Sequence, residues 1–173
     1  MRFRGVAYRA HDPRWSFQPL SGEGARMHGG RFNAPGTPAL YLSLSPATAL
    51  AEANHGFSTK IQPSLIVAYD VDCAKVLDLT SITVIKHHKI SEPDVSCDWL
   101  NYKLRGEAAP SWRLAERLVS EGFNGIVVRS FLADASNEDI NLVLWNWSHH
   151  LPTKVIVHDP DHRLPKDQSS WTS

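Results

Sequence analysis

Cysteine and methionine are scarce in this chain, two of each among 173 residues, and neither sign of charge prevails, since eighteen Lys and Arg balance eighteen Asp and Glu. Cys73 and Cys97 show no CxxC or zinc-type spacing, one possible pair is too little to indicate an oxidising compartment, and both read as reduced structural residues. Balanced charge removes the global field that would gather a polyanion or an anionic membrane, so neither direct nucleic-acid binding nor membrane association is expected. No apolar run approaches the roughly 18 residues of a spanning helix. The opening MRFRGVAYR has no apolar stretch of the secretion-signal kind, so a cytoplasmic location is the expectation. GxSxG, P-loop and GxGxxG motifs are all missing, which leaves hydrolase-elbow and common nucleotide-binding mechanisms without local support. The pairs His87-His88 and His149-His150 lack HExxH spacing, and Pro160 separates His158 from His162, so no metal is expected.

What is present is enough for one compact domain: 173 residues, 42% of them hydrophobic. Alternation and β-formers predict strands over Phe3–Arg9, Ala39–Ser43, Ser64–Val71, Val76–Leu79, Gly125–Ser130, Ile140–Trp147 and Lys154–His158. The nearly continuous apolar run INLVLWNW marks a buried strand, with Trp145 and Trp147 as core and edge residues rather than a base-stacking platform. Ala10 to Gly30, rich in Gly, Pro and Ser, reads as a long loop over a site. Ser45 as N-cap, Pro46 at the first position, the alanine-rich Ala47–Ala53 and a stop at Gly56 predict a short helix carrying Glu52. A second, amphipathic helix over Ser111–Glu121 aligns Trp112, Ala115, Leu118 and Val119 and ends at Gly122. The stretch through His87, His88 and Pro93 is polar and irregular. The sum is a mixed α+β fold, with a domain over 1–160 and a polar tail over 161–173 in which Leu164 and Trp171 are the apolar exceptions.

The chemistry gathers in the first third. Gly29-Gly30-Arg31-Phe32-Asn33 sets an arginine after two glycines, where the backbone can approach a ligand and a guanidinium can fork onto phosphate; a plain turn with a surface arginine fits the same five residues. Glu52 is the sole acid between Glu23 and Asp70 and sits among alanines, either as a site carboxylate or as a solvated helix residue. Tyr41, on the strand before that helix, can stack on a flat ring or serve as a core tyrosine with a wet hydroxyl.

Three segments in order, YRA at Tyr8–Ala10, LSGEGARMHGGRFNAPGTPALYLSLSPATALAE at Leu20–Glu52 and GIVVRS at Gly125–Ser130, make the chain resemble a RES-domain toxin. The family is named for an arginine, a glutamate and a serine, and the matching positions are Arg31, Glu52 and Ser130, with Ser136 the alternative for the serine. Phe32 stands where the family often has tryptophan. The resemblance implies a largely antiparallel α+β fold similar to ADP-ribosyltransferases, consumption of NAD+ as substrate, and a toxin role held in check by an Xre-type helix-turn-helix antitoxin, with a homodimer plausible. It also implies that Arg9 and Tyr41 line the NAD+ pocket beside Arg31, Glu52 and Ser130. The alternatives from the same residues are transfer of ADP-ribose to a protein, and a catalytically silent binding module.

Overall fold

In the computed structural model, residues 1–54 and 61–171 are described. The strands are β1 (Phe3–His11), β2 (Leu40–Ser43), β3 (Leu65–Cys73), β4 (Val76–Asp78), β5 (Gly125–Arg129), β6 (Ile140–Leu144) and β7 (Thr153–Val157). They form one sheet in the order β4-β5-β6-β2-β1-β3-β7, antiparallel at every step except β4 beside β5. The mixed, largely antiparallel α+β architecture is the one the sequence predicts.

The sheet almost parts in the middle. β1 pairs with β3 along all nine of its residues, but with β2 only at Tyr8 and Ser43. Continuing that antiparallel register would set Arg9, Ala10 and His11 against Leu42, Tyr41 and Leu40, and no pairing forms there. The two strands splay beyond Tyr8, and side chains from both line the opening.

Among the described residues six α-helices surround the sheet: α1 (Glu23–His28), α2 (Pro46–Ala53), α3 (Ile82–His87), α4 (Glu92–Ser96), α5 (Trp99–Leu104) and α6 (Pro110–Ser120). α2 and α6 fall where the sequence places them. The N-cap of α2 is Ser45, whose Oγ accepts from the Thr48 amide at 3.0 Å, and Asn54 rather than a glycine ends it, its side-chain amide donating to the Leu50 carbonyl at 2.9 Å. The expected stop, Gly56, lies outside the described residues. α6 turns Trp112, Leu114, Ala115 and Leu118 inward, while Val119 is 46% exposed and so departs from its expected place on the buried stripe. The supposed loop Ala10–Gly30 contains a 3-10 turn at Pro13–Trp15 and α1, and the irregular stretch around His87 folds into α3, α4 and α5. Elements of five or six residues show too little periodicity to be read in advance and are held by local caps; in α4, Asp94 accepts from both the amide and the hydroxyl of Ser91, each at 2.7 Å.

β5 and β6 are buried on both faces, as the apolar run INLVL implies. Val127, Leu142 and Leu144 join one core with residues from all seven strands, Val76 of one edge strand and Val155 of the other among them, so the sheet curls around this face. Ile126, Val128 and Val143 point the other way and meet Leu114 and Leu118 of α6. Beyond the strand ends, Trp145 and Trp147 pack half-buried against the two cores and spend their indole N–H groups on loop carbonyls, Phe32 at 2.8 Å and Leu20 at 3.0 Å. Leu164 of the tail packs on the first core instead of facing outward.

A buried relay fixes the segment after β1. Tyr69 donates its hydroxyl to the Pro19 carbonyl at 2.8 Å, so it accepts from Nε2–H of His11 at 2.6 Å. Burial first, then the neighbouring Arg9 charge, brings the His11 imidazole down to about 4 from 6.5. The folded chain therefore keeps His11 neutral through a window in which the unfolded chain binds a proton. Stability is full above pH 6.5 and falls as the pH drops toward 4, by about 3 kcal/mol in all. Urea midpoints taken from pH 7 to pH 4 should fall further in the wild type than in His11→Gln, which keeps a donor for Tyr69 and cannot titrate.

Candidate active site

The loop Gly29–Asn33 is fastened from three sides before any ligand arrives. Trp112 donates its indole N–H to the Gly30 carbonyl at 2.7 Å, the Ser111 hydroxyl donates to the Arg31 carbonyl, and Trp145 takes the Phe32 carbonyl. Asn33, 1% exposed, donates its amide to the Ala25 and Thr37 carbonyls at 2.8 Å each and accepts from the Tyr41 hydroxyl at 2.7 Å. Tyr41 in turn accepts from the Phe32 amide at 3.0 Å. Burial raises the Tyr41 phenol well above its ordinary value, so the hydroxyl stays protonated and remains a donor. Only glycine fits at position 30, because an added Cβ would lie 2.5 Å from the Tyr41 hydroxyl and 2.8 Å from the Asn33 carbonyl oxygen.

Held this way, Arg31 stacks its guanidinium 4.1 Å above the Phe131 ring and donates to the carbonyls of Cys97 at 2.7 Å and Val95 at 3.4 Å. Arg9 is held alike, donating to the Ser21 carbonyl at 2.9 Å. Among the described residues neither arginine forms a salt bridge, so two cations rest on neutral carbonyls with their charge uncancelled. Desolvation lowers both guanidinium pKa values from the ordinary one, with Tyr69 opposing for Arg9 and Cys97 and Glu52 among the groups opposing for Arg31.

Glu52 completes the cluster. Thr48 and Glu52 are four residues apart on α2 and so share a face; Thr48 donates to Asp139 at 2.7 Å, and Asp139 accepts the Ser130 amide through its main-chain carbonyl at 2.7 Å. The carboxylate then accepts from the Ser130 hydroxyl at 2.7 Å and the Asn141 amide at 2.5 Å, both on Oε1. Asn141 is oriented by Ser43, whose hydroxyl donates to its carbonyl oxygen at 2.7 Å. The two serines separate clearly: Ser130 touches Glu52, whereas Ser136 spends its hydroxyl and amide on Asp139 in the following turn.

Two adjoining cavities open along this cluster, one of about 270 Å³ where β1 and β2 splay and one of about 450 Å³ beneath Arg31 and Phe131; Arg9, Tyr41, Glu52 and Asn141 line both. The structure thus brings Arg9, Arg31, Tyr41 and Glu52 to one cleft, with Ser130 behind Glu52. Sequence reasoning passed over Asn141, Asn33 and Phe131. A lone amide within the apolar run INLVL was the available signal for Asn141; Phe131 and Asn33 carried none, since their roles arise from tertiary contacts. Tyr41→Phe should leave the Phe32 amide and the Asn33 carbonyl oxygen short of a buried partner and lower stability by about 1–3 kcal/mol, read as a shift of the urea midpoint at constant slope.

A rolled, mostly antiparallel sheet split over a cleft lined by Arg31 and Glu52, with Ser130 hydrogen-bonded to the carboxylate from behind, defines the class. Residues 6–167 match the RES domain, and the chain belongs to the RES domain family. Among curated proteins it is similar to the NAD(+) phosphorylase MbcT of Mycobacterium bovis and of Mycobacterium tuberculosis, at 35% identity over 123 residues. That alignment takes in 65% of this chain and 66% of each relative, so the chain spans just under two thirds of the curated relatives' length. Among solved structures it is similar to the crystal structure of the M. tuberculosis MbcT–MbcA toxin–antitoxin complex, with a TM-score of 0.62, 21% identity, and coverage of 92% of this chain and 84% of that one. At that identity the likeness is one of fold.

Proposed function

We propose that the chain cleaves the bond between nicotinamide and ribose in NAD+, acting as the toxin of a toxin–antitoxin pair. The observation that carries this reading is the Glu52 carboxylate, which lines one cavity with Arg9 and Arg31 and which the described residues hold through Oε1. Nicotinamide is a cationic substituent that departs neutral, so no general acid is required. The need is for negative charge beside the oxocarbenium-like ribose, and preorganised charge in a partly desolvated cleft supplies it without reorganisation. Oε2 of Glu52, which has no hydrogen-bond partner among the described residues, takes the ribose hydroxyls, Arg31 and Arg9 clamp the pyrophosphate, Tyr41 stacks on the nicotinamide ring, and Ser130 with Asn141 fixes the carboxylate's direction.

The relatives' name supports phosphate as acceptor. NAD+ and phosphate would then yield nicotinamide and ADP-ribose carrying phosphate at the anomeric carbon; water in its place gives ADP-ribose. Family membership and the fold likeness to a solved toxin–antitoxin complex support a protein antitoxin, for which the Xre helix-turn-helix type is our assignment. Expression without a partner tests the reading. The wild type should arrest growth as cellular NAD+ falls, and Glu52→Gln should be tolerated. Arrest by both chains with NAD+ undiminished would remove this reading.

A further inference from the structure

A third cavity, of about 450 Å³, adjoins the cleft on the far side of Arg9, and Arg9 and Gly24 line both. Its walls are unlike those of the cleft. Trp15, 56% exposed, lies beside Phe17 with ring centroids 6.4 Å apart and planes 29° apart, and Met27 is 61% exposed. Gln18 adds a side-chain amide. An aromatic face backed by a second ring, a soft thioether and an amide form the kind of surface that takes a purine, stacking on its face and pairing with its edge. Gly24 lines both cavities, and an added Cβ there would meet nothing within 4 Å.

A dinucleotide is two nucleosides joined by a pyrophosphate, and here two cavities flank a cation with no carboxylate partner among the described residues. We infer that the third cavity holds the adenosine half of the substrate, with Trp15 as its stacking surface and Arg9 on the intervening pyrophosphate. The inference rests on the NAD+ reading of the adjoining cleft. It makes Trp15 a specificity-determining residue that contributes through the adenine ring alone.

Two titrations separate the inference from the reading on which it rests. Calorimetric binding of ADP probes the site with no bond cleavage, and NAD+ turnover probes the reaction. ADP should bind the wild type, and Trp15→Ala should weaken ADP binding and raise the KM for NAD+ by roughly 5- to 150-fold, the usual effect of losing one base stack. Trp15→Phe should recover most of that loss. Because Trp15 is exposed, circular dichroism of both variants should match the wild type. Gly24→Leu, which favours the helix and fills the junction, should weaken NAD+ more than ADP. ADP binding that is absent from the wild type, or unchanged in Trp15→Ala, overturns the inference. ADP binding through Trp15 without NAD+ cleavage by the wild type leaves the adenosine site standing and removes the reaction.

Discussion

Glu52→Gln lowers the rate of NAD+ cleavage by at least about 100-fold, the usual effect of removing one preorganised group that stabilises transition-state charge. The substitution is isosteric. The glutamine amide still offers an oxygen to the Ser130 hydroxyl and the Asn141 amide, which in the wild type both bond to Oε1, so α2 stays docked through these contacts and through Thr48 and Asp139. What disappears is the negative charge beside the ribose. Nicotinamide leaves without a proton, so no second acid can compensate, and the loss should fall on kcat more than on KM. Initial rates of nicotinamide release at saturating NAD+, with melting curves of both proteins, check the claim. Equal kcat values in two equally folded proteins would contradict it.

Arg31→Lys should cost nearly as much, although the charge is kept. The guanidinium performs three tasks at once: it stacks on Phe131 at 4.1 Å, donates to the Cys97 and Val95 carbonyls, and faces the cavity that Glu52 also lines. An ammonium is a compact point charge on a flexible stem and has no planar face to stack. It can satisfy the carbonyls or reach the pyrophosphate, but it is not held in place for both. A misplacement of about 1 Å in a clamped substrate costs on the order of 100-fold, and kcat/KM for NAD+ should fall by about that factor. Stability should change little, because the loop is held by Ser111, Trp112, Trp145 and Asn33 rather than by the arginine side chain. Measuring kcat/KM beside the urea midpoint separates the two effects; a drop in both together would mean that Arg31 supports the loop itself.

How much of this was legible in the sequence follows the range of each interaction. α2 is set by neighbours: Ser45 caps, Pro46 starts and alanines propagate, so its span and the position of Glu52 could be read directly. β6 could be read because an apolar strand buried on both faces has a composition of its own. The split between β1 and β2 could not, since both segments have ordinary strand character and nothing local limits their pairing to Tyr8 and Ser43. The same holds within the site. Arg31, Tyr41 and Glu52 stand in a compact sequence segment, whereas Asn141 and Phe131 reach them from about 80 to 110 residues away, and only the fold sets an amide on the carboxylate or a ring beneath the guanidinium. Arg9 shows both sides: its place beside the cleft followed from the resemblance, but the backbone carbonyls that hold it and the cavity beyond it became visible only in the folded chain.

The most direct test of the central claim is NAD+ consumption by the purified, antitoxin-free protein with and without inorganic phosphate, with nicotinamide, ADP-ribose and its phosphorylated form resolved by chromatography. The account predicts one nicotinamide released for each NAD+ lost, a phosphorylated ADP-ribose when phosphate is supplied, and no measurable loss with Glu52→Gln. A folded wild-type protein that leaves NAD+ intact under both conditions would contradict it.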